Sequence, residues 1–362
     1  MVVRMVERIF ATAPNRVVIA GEHGFDWGSK AIYAPVEFSS KRNKVSLATQ
    51  EGRGKIVLYA DEGQLAVLEN NTQARGDKHA MLYLESAKAI LSKNRLDLER
   101  QPYGLSLVME HCPAPAGTAN SASLSAAFCS ALYEYLGLIP TTGEFVEAIM
   151  ASEKQIQSQR AVQPDARTIL SDTCLKVRKE FLLDGSTEYN CDSADLSLPS
   201  GTCLLYAVSA SSSQQPATPQ EQETAFASHY GFVRASGKVK EHGALSAAER
   251  AKVTEPINRL VERVAAEMKP SGSFEKLASL FGLNHSILSD AGVSSPGIEK
   301  MIEVAKGAGA LGAKLTGTGG EGGAALIYCK ETDSKAVSKA LDANKFKAFE
   351  ISFSTKGANA SI

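Results

Sequence analysis

The spacing of apolar residues predicts strands followed by helices in the first half of the chain. A β-branched run at 16–20 predicts a short buried strand, and the alternation at 105–109 predicts a second one. Apolar residues then recur at every third or fourth position across 124–135, which is the spacing of a helix, and Gly137 predicts its end. Prolines and a glycine fill the interval 113–117. The sequence therefore predicts a Pro/Gly-rich turn that leads directly into a helix N-terminus.

The second half of the chain mixes both kinds of element and includes a predicted domain boundary. The predicted elements are a helix at about 144–158, helices at 257–268 and 298–305, and closing strands at 324–328 and 349–353. A chain of 362 residues is too long for one core of ordinary size. Ser, Asp and Gly are frequent at 184–201, so we place the boundary there, between domains 1–195 and 196–362. The polar stretch 209–222 is predicted to be a surface loop.

Composition narrows the range of partners. Lys and Arg total 39 against 40 Asp and Glu, and a net charge of −1 disfavours nucleic-acid binding. The apolar runs fall far short of the roughly 18 residues that a membrane span requires. The six cysteines are scattered without a C-x-x-C pair, which argues against a zinc site or a disulfide framework and is typical of a reducing compartment. We therefore expect a cytoplasmic protein with a small-molecule substrate and no nucleic-acid or membrane partner. The sequence leaves a homodimer open.

The first of three glycine-bearing segments ends the predicted strand at 16–20. Glu22 and His23 follow Gly21 there. A carboxylate and an imidazole at the end of a strand can face a cleft and bind the hydroxyl groups of a ligand. The alternative is a strand end at which both side chains are solvated.

The second segment, 113–124, is a loop of small residues that runs into the predicted helix. Backbone N–H groups and the helix dipole make such a helix start a phosphate site, and small side chains let the phosphate approach closely. The Ser121 hydroxyl is a candidate Mg²⁺ ligand. The alternative is an ordinary helix start that is capped by Asn120 or Ser121.

The third segment, 312–323, carries five glycines within the seven residues 317–323. Each glycine costs conformational entropy on folding, so this density indicates a backbone that must lie close to a ligand. The alternative is a flexible surface turn. The stretch 307–312 fits G-x-G-x-x-G, but it follows a helix-like segment where a dinucleotide site needs a strand.

Two acidic residues are candidates for chemistry. Glu153 is predicted on the last turns of the helix at 144–158, and Asp165 is predicted in the loop after it, beyond the helix-breaking Pro164. Acids on a helix and on the following loop can converge on one site, where one holds a metal and the other accepts a proton from a hydroxyl. The alternative is a pair of solvated surface charges.

In this order the three segments resemble the signature motifs of the GHMP small-molecule kinases, and within that family the mevalonate kinases most. The resemblance is most specific at Asn284-His285, Gly292-Val293-Ser294 and 312–317. It implies an α+β protein of two domains, an N-terminal domain like ribosomal protein S5 and a C-terminal ferredoxin-like domain. It also implies ATP-dependent phosphorylation of a small hydroxy acid, mevalonate or a phosphorylated mevalonate.

The resemblance implies a role for each matching residue. The residues implied to bind ATP are Pro113, Ala116, Gly117, Thr118, Ala119, Asn120 and Ser121. Ser121 and Glu153 match the family's Mg²⁺ ligands, so ATP and Mg²⁺ are the expected cofactors. Asp165 matches the catalytic aspartate, and Arg16 is expected to neutralise charge during phosphoryl transfer. The residues implied to contact the substrate are Glu22, His23, Gly317 and Thr318.

Departures from the family pattern keep two other functions open. Residues of the second motif that differ from the pattern are Pro115, Thr118, Ala119 and Asn120. They favour a catalytically degenerate member that binds a small ligand and acts through a partner. Arg16 stands where mevalonate kinases usually have lysine and galactokinases have arginine, which favours a sugar kinase of the galactokinase type.

Overall fold

The chain folds into two compact units, each of which combines segments that are distant in the sequence. The computed structural model describes residues 8–60, 63–112, 114–115, 117–156, 163–182, 184–209, 225–231, 239, 245–317, 319–320 and 322–361. The first unit falls within Met1–Arg16, Lys41–Asp172 and Ser354–Ile362, and the second within Val17–Ser40 and Thr173–Phe353. The sequence predicted one boundary, between residues 195 and 196. In the structure the chain instead changes from one unit to the other after residues 16, 40, 172 and 353.

Every strand and helix predicted above has a counterpart in the structure. The strands are β1 (Ile9–Ala13), β2 (Asn15–Ala20), β3 (Lys30–Phe38), β4 (Asn43–Gln50), β5 (Lys55–Ala60), β6 (Gly63–Glu69), β7 (Gln73–Gly76), β8 (Gly104–Glu110), β9 (Cys174–Phe181), β10 (Thr187–Ala194), β11 (Thr202–Ser209), β12 (Gly312–Thr316), β13 (Ala324–Lys330), β14 (Phe346–Phe353) and β15 (Asn359–Ser361). The main helices are α1 (Lys78–Lys93), α2 (Asn120–Leu136), α3 (Thr142–Ile156), α4 (Gln163–Leu170), α5 (Ala247–Glu267), α6 (Phe274–Asp290), α7 (Pro296–Gly307) and α8 (Ser334–Ala343). No helix within the described residues has the length and hydropathy to cross a membrane.

A seven-stranded sheet organises the first unit, in the order β15-β1-β4-β8-β5-β6-β7. Its strands are antiparallel except for β5 and β8, which are parallel. Helix α2 packs across β1 and β4, and α1 and α3 pack beside it. Fourteen of the 17 residues of α2 are buried, because its alanines, serines and leucines fit between the sheet and the other helices. The start of α2 is therefore held firmly in place.

An eight-stranded sheet organises the second unit. Its order is β10-β9-β3-β14-β11-β13-β12, with β2 beside β3. Helix α5 packs against β3, α6 against β12 and α8 against β14. The large side chains of Tyr206, Tyr328 and Phe281 are completely or almost completely buried within the unit. The arrangement places β12, which carries the start of the third glycine-bearing segment, under α6.

The stretch 184–201, which the sequence predicted to be a domain boundary, contains a strand and lies within the second unit. Strand β10 pairs with β9 along its whole length, from Thr187 opposite Phe181 to Ala194 opposite Cys174. Because β10 is the edge strand of its sheet, most of its side chains are exposed and its composition is that of a loop. The predicted surface loop 209–222 lies, apart from its first residue, outside the described residues.

Candidate active site

Helix α2 begins from a left-handed backbone turn in the first unit. The φ angles of Gly117 and Ala119 are 84° and 53°, a region that glycine adopts freely and alanine rarely. Ala119 directly precedes the helix and its side chain makes no capping hydrogen bond. The alternative in which Asn120 or Ser121 caps the helix is wrong, since both lie inside its first turn. The positive end of α2 therefore has no side-chain cap, which suits a phosphate group.

Side-chain amides hold the loop before α2 in place. The carboxamide oxygen of Asn120 accepts hydrogen bonds from Nδ2 of Asn15 at 3.0 Å and from Nδ2 of Asn43 at 2.7 Å. Asn43 also accepts the backbone N–H of Cys112 at 2.8 Å, so it ties both ends of the loop together. The hydroxyl of Thr118 donates to a carbonyl of the same loop at 2.6 Å. Two of the departures from the family motif, Asn120 and Thr118, thus stabilise the loop.

Arg16 and Asp165 form a bidentate ion pair beside the loop that precedes α2. Nε of Arg16 donates to Oδ1 of Asp165 at 2.6 Å, and Nη2 donates to Oδ2 at 2.9 Å. Nη1 of Arg16 donates to the carbonyl of Gly117 at 3.2 Å, and its backbone N–H donates to the carbonyl of Thr118 at 3.0 Å. The two side chains are 14% and 10% exposed. Planar pairing of this kind fixes both position and orientation of the carboxylate.

Asp165 lies in the first turn of helix α4, so its predicted place in a loop was wrong. Pro164 is inside the same turn, where the backbone N–H that proline lacks has no partner within the helix. The proline therefore helps to start α4. The positive end of the α4 dipole favours a negative charge on Asp165.

Ser121 and Glu153 form a second polar pair in the first unit. Oγ of Ser121 donates to Oε2 of Glu153 at 3.1 Å, because the first turn of α2 packs near the last turn of α3. Glu153 is 3% exposed. The pKa of Tyr83 is raised by burial and further by the negative charge of Glu153. A buried carboxylate beside a hydroxyl fits Mg²⁺, which takes one or two protein oxygens and completes its shell with phosphate and water. The described residues hold no cluster of three acidic, histidine or cysteine side chains that would form an all-protein metal site.

The second unit has its own polar cluster around Glu22. The carboxylate of Glu22 pairs with the ammonium of Lys314, and Nδ2 of Asn284 donates to Oε2 of Glu22 at 3.3 Å. Lys314 is 0% exposed and Glu22 is 6% exposed, so the alternative of a solvated Glu22 is wrong. Burial lowers the pKa of Lys314, and the negative charge of Glu22 opposes that shift. The lysine charge thus compensates a carboxylate that is withdrawn from water.

Backbone conformation fixes the positions of Glu22 and His23. The φ of Gly21 is 88°, and a Cβ atom there would lie 2.3 Å from the carbonyl oxygen of Lys30. Only glycine fits at this position. His23 has a φ of 59°, and its ring stacks on Phe226 with 5.8 Å between the ring centroids. The first glycine-bearing segment is therefore a rigid turn.

The third glycine-bearing segment starts from a fully buried strand. All residues of β12 are buried, and the hydroxyl of Thr316 donates to the carbonyl of Val18 at 3.1 Å. Gly317, Gly319 and Gly320 have φ angles of 73°, 74° and 70°. Gly319 and Gly320 are buried, which contradicts the alternative of a flexible surface turn. The predicted site residues that lie outside the described residues are Pro113, Ala116 and Thr318.

Lys314 and three asparagines belong to these clusters, although no role was predicted for them from the sequence. Lys314 did carry a signal, because a lysine inside a strand of otherwise small or apolar residues must find an opposite charge when that strand is buried. Asn284 lay in a stretch that carries the resemblance, but no role was predicted for it. Asn15 and Asn43 carried no signal, since asparagine is common in turns and their partners are distant in sequence.

Comparison with known proteins agrees with this architecture. The family model described as "GHMP kinases C terminal" matches residues 257–348. The mevalonate kinase of Thermococcus gammatolerans is 25% identical over 333 residues, which are 87% of this chain and 87% of that protein. The crystal structure of the Methanococcus jannaschii mevalonate kinase aligns with a TM-score of 0.69 at 18% identity, covering 95% of this chain and 98% of that one. Lactococcus lactis galactokinase, complexed with galactose, aligns with a TM-score of 0.71 at 16% identity, covering 98% and 95%.

The fold and the comparisons together indicate the class of protein. The chain is an ATP-dependent small-molecule kinase that is similar to the GHMP kinases in residues 257–348, in its relatives and in its fold. The expected two-domain α+β architecture of that class is confirmed. Within the class, the relatives that align with most of this chain, at 21% to 25% identity, are mevalonate kinases.

Proposed function

We propose that this kinase transfers a phosphoryl group from ATP to a hydroxyl of a small hydroxy acid, mevalonate or a phosphorylated mevalonate. The names of the relatives that align with most of the chain support this substrate class. The observation that carries the proposal is the Arg16–Asp165 pair against the loop that leads into α2. Phosphoryl transfer needs little besides positioned groups and compensating charge, and this arrangement supplies both beside a helix start that suits phosphate.

The loop before α2 and the first turn of that helix bind the triphosphate in this proposal. The ATP-binding residues remain those predicted from the sequence, Pro113, Ala116, Gly117, Thr118, Ala119, Asn120 and Ser121. Backbone N–H groups at the helix start donate to phosphate oxygens, and the side-chain amides of Asn15 and Asn43 keep the loop in the required shape. Ser121 and Glu153 would hold Mg²⁺, which neutralises the charge of the β- and γ-phosphates when bound.

Asp165 orients the attacking hydroxyl and accepts its proton. Each of its carboxylate oxygens accepts one hydrogen bond from Arg16 and retains a second lone-pair site. Arg16 fixes the direction of the carboxylate, and its positive charge stabilises the charge that develops on the transferred group.

The proposed substrate contacts remain those implied by the resemblance, Glu22, His23, Gly317 and Thr318. The Glu22 carboxylate accepts a hydrogen bond from a substrate hydroxyl, while Lys314 and Asn284 hold that carboxylate in one orientation. His23 is held by its stacked ring partner Phe226. A carboxylate with two fixed partners favours substrates that carry a hydroxyl at a matching place.

A sugar kinase of the galactokinase type is the second candidate. It is favoured by Arg16 and by the fold shared with the galactokinase from Lactococcus lactis. A substrate panel distinguishes the two. ADP release is measured with mevalonate, phosphorylated mevalonates, galactose and other hexoses, and each product is identified by mass spectrometry.

We expect kcat/KM for mevalonate or a phosphorylated mevalonate to exceed that for galactose by at least about 10²-fold, since a site built around fixed polar groups rejects mismatched hydroxyl patterns strongly. Preferential phosphorylation of galactose would establish the sugar kinase instead. Calorimetric binding of mevalonate without ATP turnover would favour the degenerate ligand-binding member.

Glu153→Gln tests the proposed Mg²⁺ site. We expect the Mg²⁺ concentration at half-maximal activity to rise by about tenfold or more, because the variant loses the only anionic ligand that the protein contributes in the proposal. The same shift should appear in Mn²⁺ binding to the enzyme–nucleotide complex, followed by electron paramagnetic resonance. Glu147→Gln is the matched control, because Glu147 lies on the same helix and is 70% exposed. Equal Mg²⁺ requirements in both variants would remove Glu153 from the site.

A further inference from the structure

Cys203 and Cys329 are brought together by the central strands of the second unit. Cys203 is the second residue of β11, and Cys329 lies directly opposite it on the antiparallel neighbour β13. Their Sγ atoms are 3.5 Å apart, and both cysteines are free thiols. The two residues are 126 positions apart in sequence. Because the cysteines are scattered along the chain, the sequence did not indicate that these two lie together.

The backbone geometry already suits a disulfide between them. Directly opposed residues of antiparallel strands have Cα atoms about 4.5–5.5 Å apart, within the roughly 4.4–6.8 Å that disulfides span. The two sulfurs only need to approach from 3.5 Å to about 2.0 Å, which rotation of the side chains supplies. The sheet therefore does not have to move.

The two thiols differ in access and acidity. Cys203 is 9% exposed, near the end of its strand, whereas Cys329 is 0% exposed. The adjacent cross-strand pair is Thr202 and Lys330, and Lys330 is exposed. The hydrogen-bonding contact between the two thiols lowers the pKa of Cys203, and the same contact, together with burial, raises the pKa of Cys329. Cys203 is thus the thiol that a small oxidant reaches.

We propose that Cys203 and Cys329 are a reversible oxidation site that hydrogen peroxide converts into a disulfide. The Cys203 thiolate attacks one peroxide oxygen, the O–O bond breaks, and a sulfenic acid forms as hydroxide leaves and takes up the thiol proton as water. The Cys329 sulfur, on losing its proton, attacks the sulfenyl sulfur and releases a second water. The two thiols lose two electrons, which reduce one peroxide to two waters. A dithiol reverses the reaction by exchange.

Counting of thiols tests the proposal on the full-length folded protein. The reduced protein is treated with hydrogen peroxide, quenched, unfolded in excess N-ethylmaleimide and weighed as the intact chain. The untreated chain has six cysteines and binds six labels. We expect four labels after oxidation, a tryptic peptide in which Cys203 is linked to Cys329, and recovery of six labels after dithiothreitol.

Two variants make the result specific. Cys203→Ser should keep all five of its labels after the same treatment. Cys191→Ser is the matched control, because Cys191 is half-buried on the edge strand β10, more accessible than Cys203, and should fall from five labels to three. Six labels on the oxidised wild type, a linked peptide of other cysteines, or sulfinic acid at Cys203 without a linked peptide would overturn the proposal. The linked peptide from wild-type protein decides the matter even if a variant folds poorly.

Discussion

Replacing Asp165 with asparagine is expected to lower kcat by about 10²–10⁴-fold, because an amide cannot accept the proton of the attacking hydroxyl. The substitution also replaces one carboxylate oxygen by an NH₂ group. That group cannot accept the hydrogen bond that Nη2 or Nε of Arg16 now donates. Arg16 therefore keeps only one of its two hydrogen bonds to residue 165, and the asparagine side chain is less well oriented than the carboxylate. Steady-state ADP release at saturating substrate measures the effect.

The control for this prediction is Asp172→Asn. Asp172 is an exposed aspartate just beyond helix α4, and its replacement should leave kcat within about threefold of wild type. ATP binding by calorimetry and a thermal melt of Asp165→Asn show whether a loss of activity reflects loss of folding. A folded Asp165→Asn protein with kcat within about threefold of wild type would eliminate Asp165 as the base.

Lys314→Met is expected to cause the largest loss of stability, about 3–5 kcal/mol in the free energy of unfolding. The substitution leaves the carboxylate of Glu22 buried without its opposite charge, and Asn284 supplies only one neutral hydrogen bond. Methionine fills a similar volume, so the loss reports the charge and not a cavity. Urea unfolding followed by circular dichroism measures it.

A second substitution identifies the cause of that loss. Combining Lys314→Met with Glu22→Gln removes the uncompensated charge, so the double variant should recover a large part of the lost stability. Lys335→Met is the control, because Lys335 is exposed on α8 and its replacement should change stability by less than about 0.5 kcal/mol. If Lys314→Met unfolds at the same urea concentration as Lys335→Met, the buried pair does not hold Glu22 in place.

Local patterns in the sequence were sufficient to predict the helix and the strand that carry part of the candidate site. The periodicity of 124–135 and Gly137 predicted α2, whose last residue is Leu136 and whose C-terminal cap is Gly137 with a φ of 62°. The β-branched run predicted β2. The glycines of the third segment occupy left-handed positions at Gly317, Gly319 and Gly320, and the close approach of this backbone to a ligand stays a prediction. These features depend on neighbouring residues, so a single sequence contains the information.

Long-range pairing could not be predicted in the same way. Arg16 and Asp165 are 149 positions apart, and Glu22 and Lys314 are 292 positions apart, so no local pattern links them. Strand β10 was missed because an exposed edge strand has the composition of a loop. Asp165 was placed in a loop because proline ends helices when it lies inside them but starts them in the first turn, and the sequence did not distinguish the two positions.

Residues 359–361 form an edge strand of the sheet in the first unit. Strand β15 pairs with β1, with Phe10 opposite Ser361, and the backbone N–H of Ala358 donates to the carbonyl of Ile169 at 2.9 Å. A chain under synthesis therefore leaves this edge of β1 unpaired until residues 359–361 have been made. An unpaired strand edge is a template for aggregation, so a chain truncated before Asn359 should aggregate more than the untruncated chain.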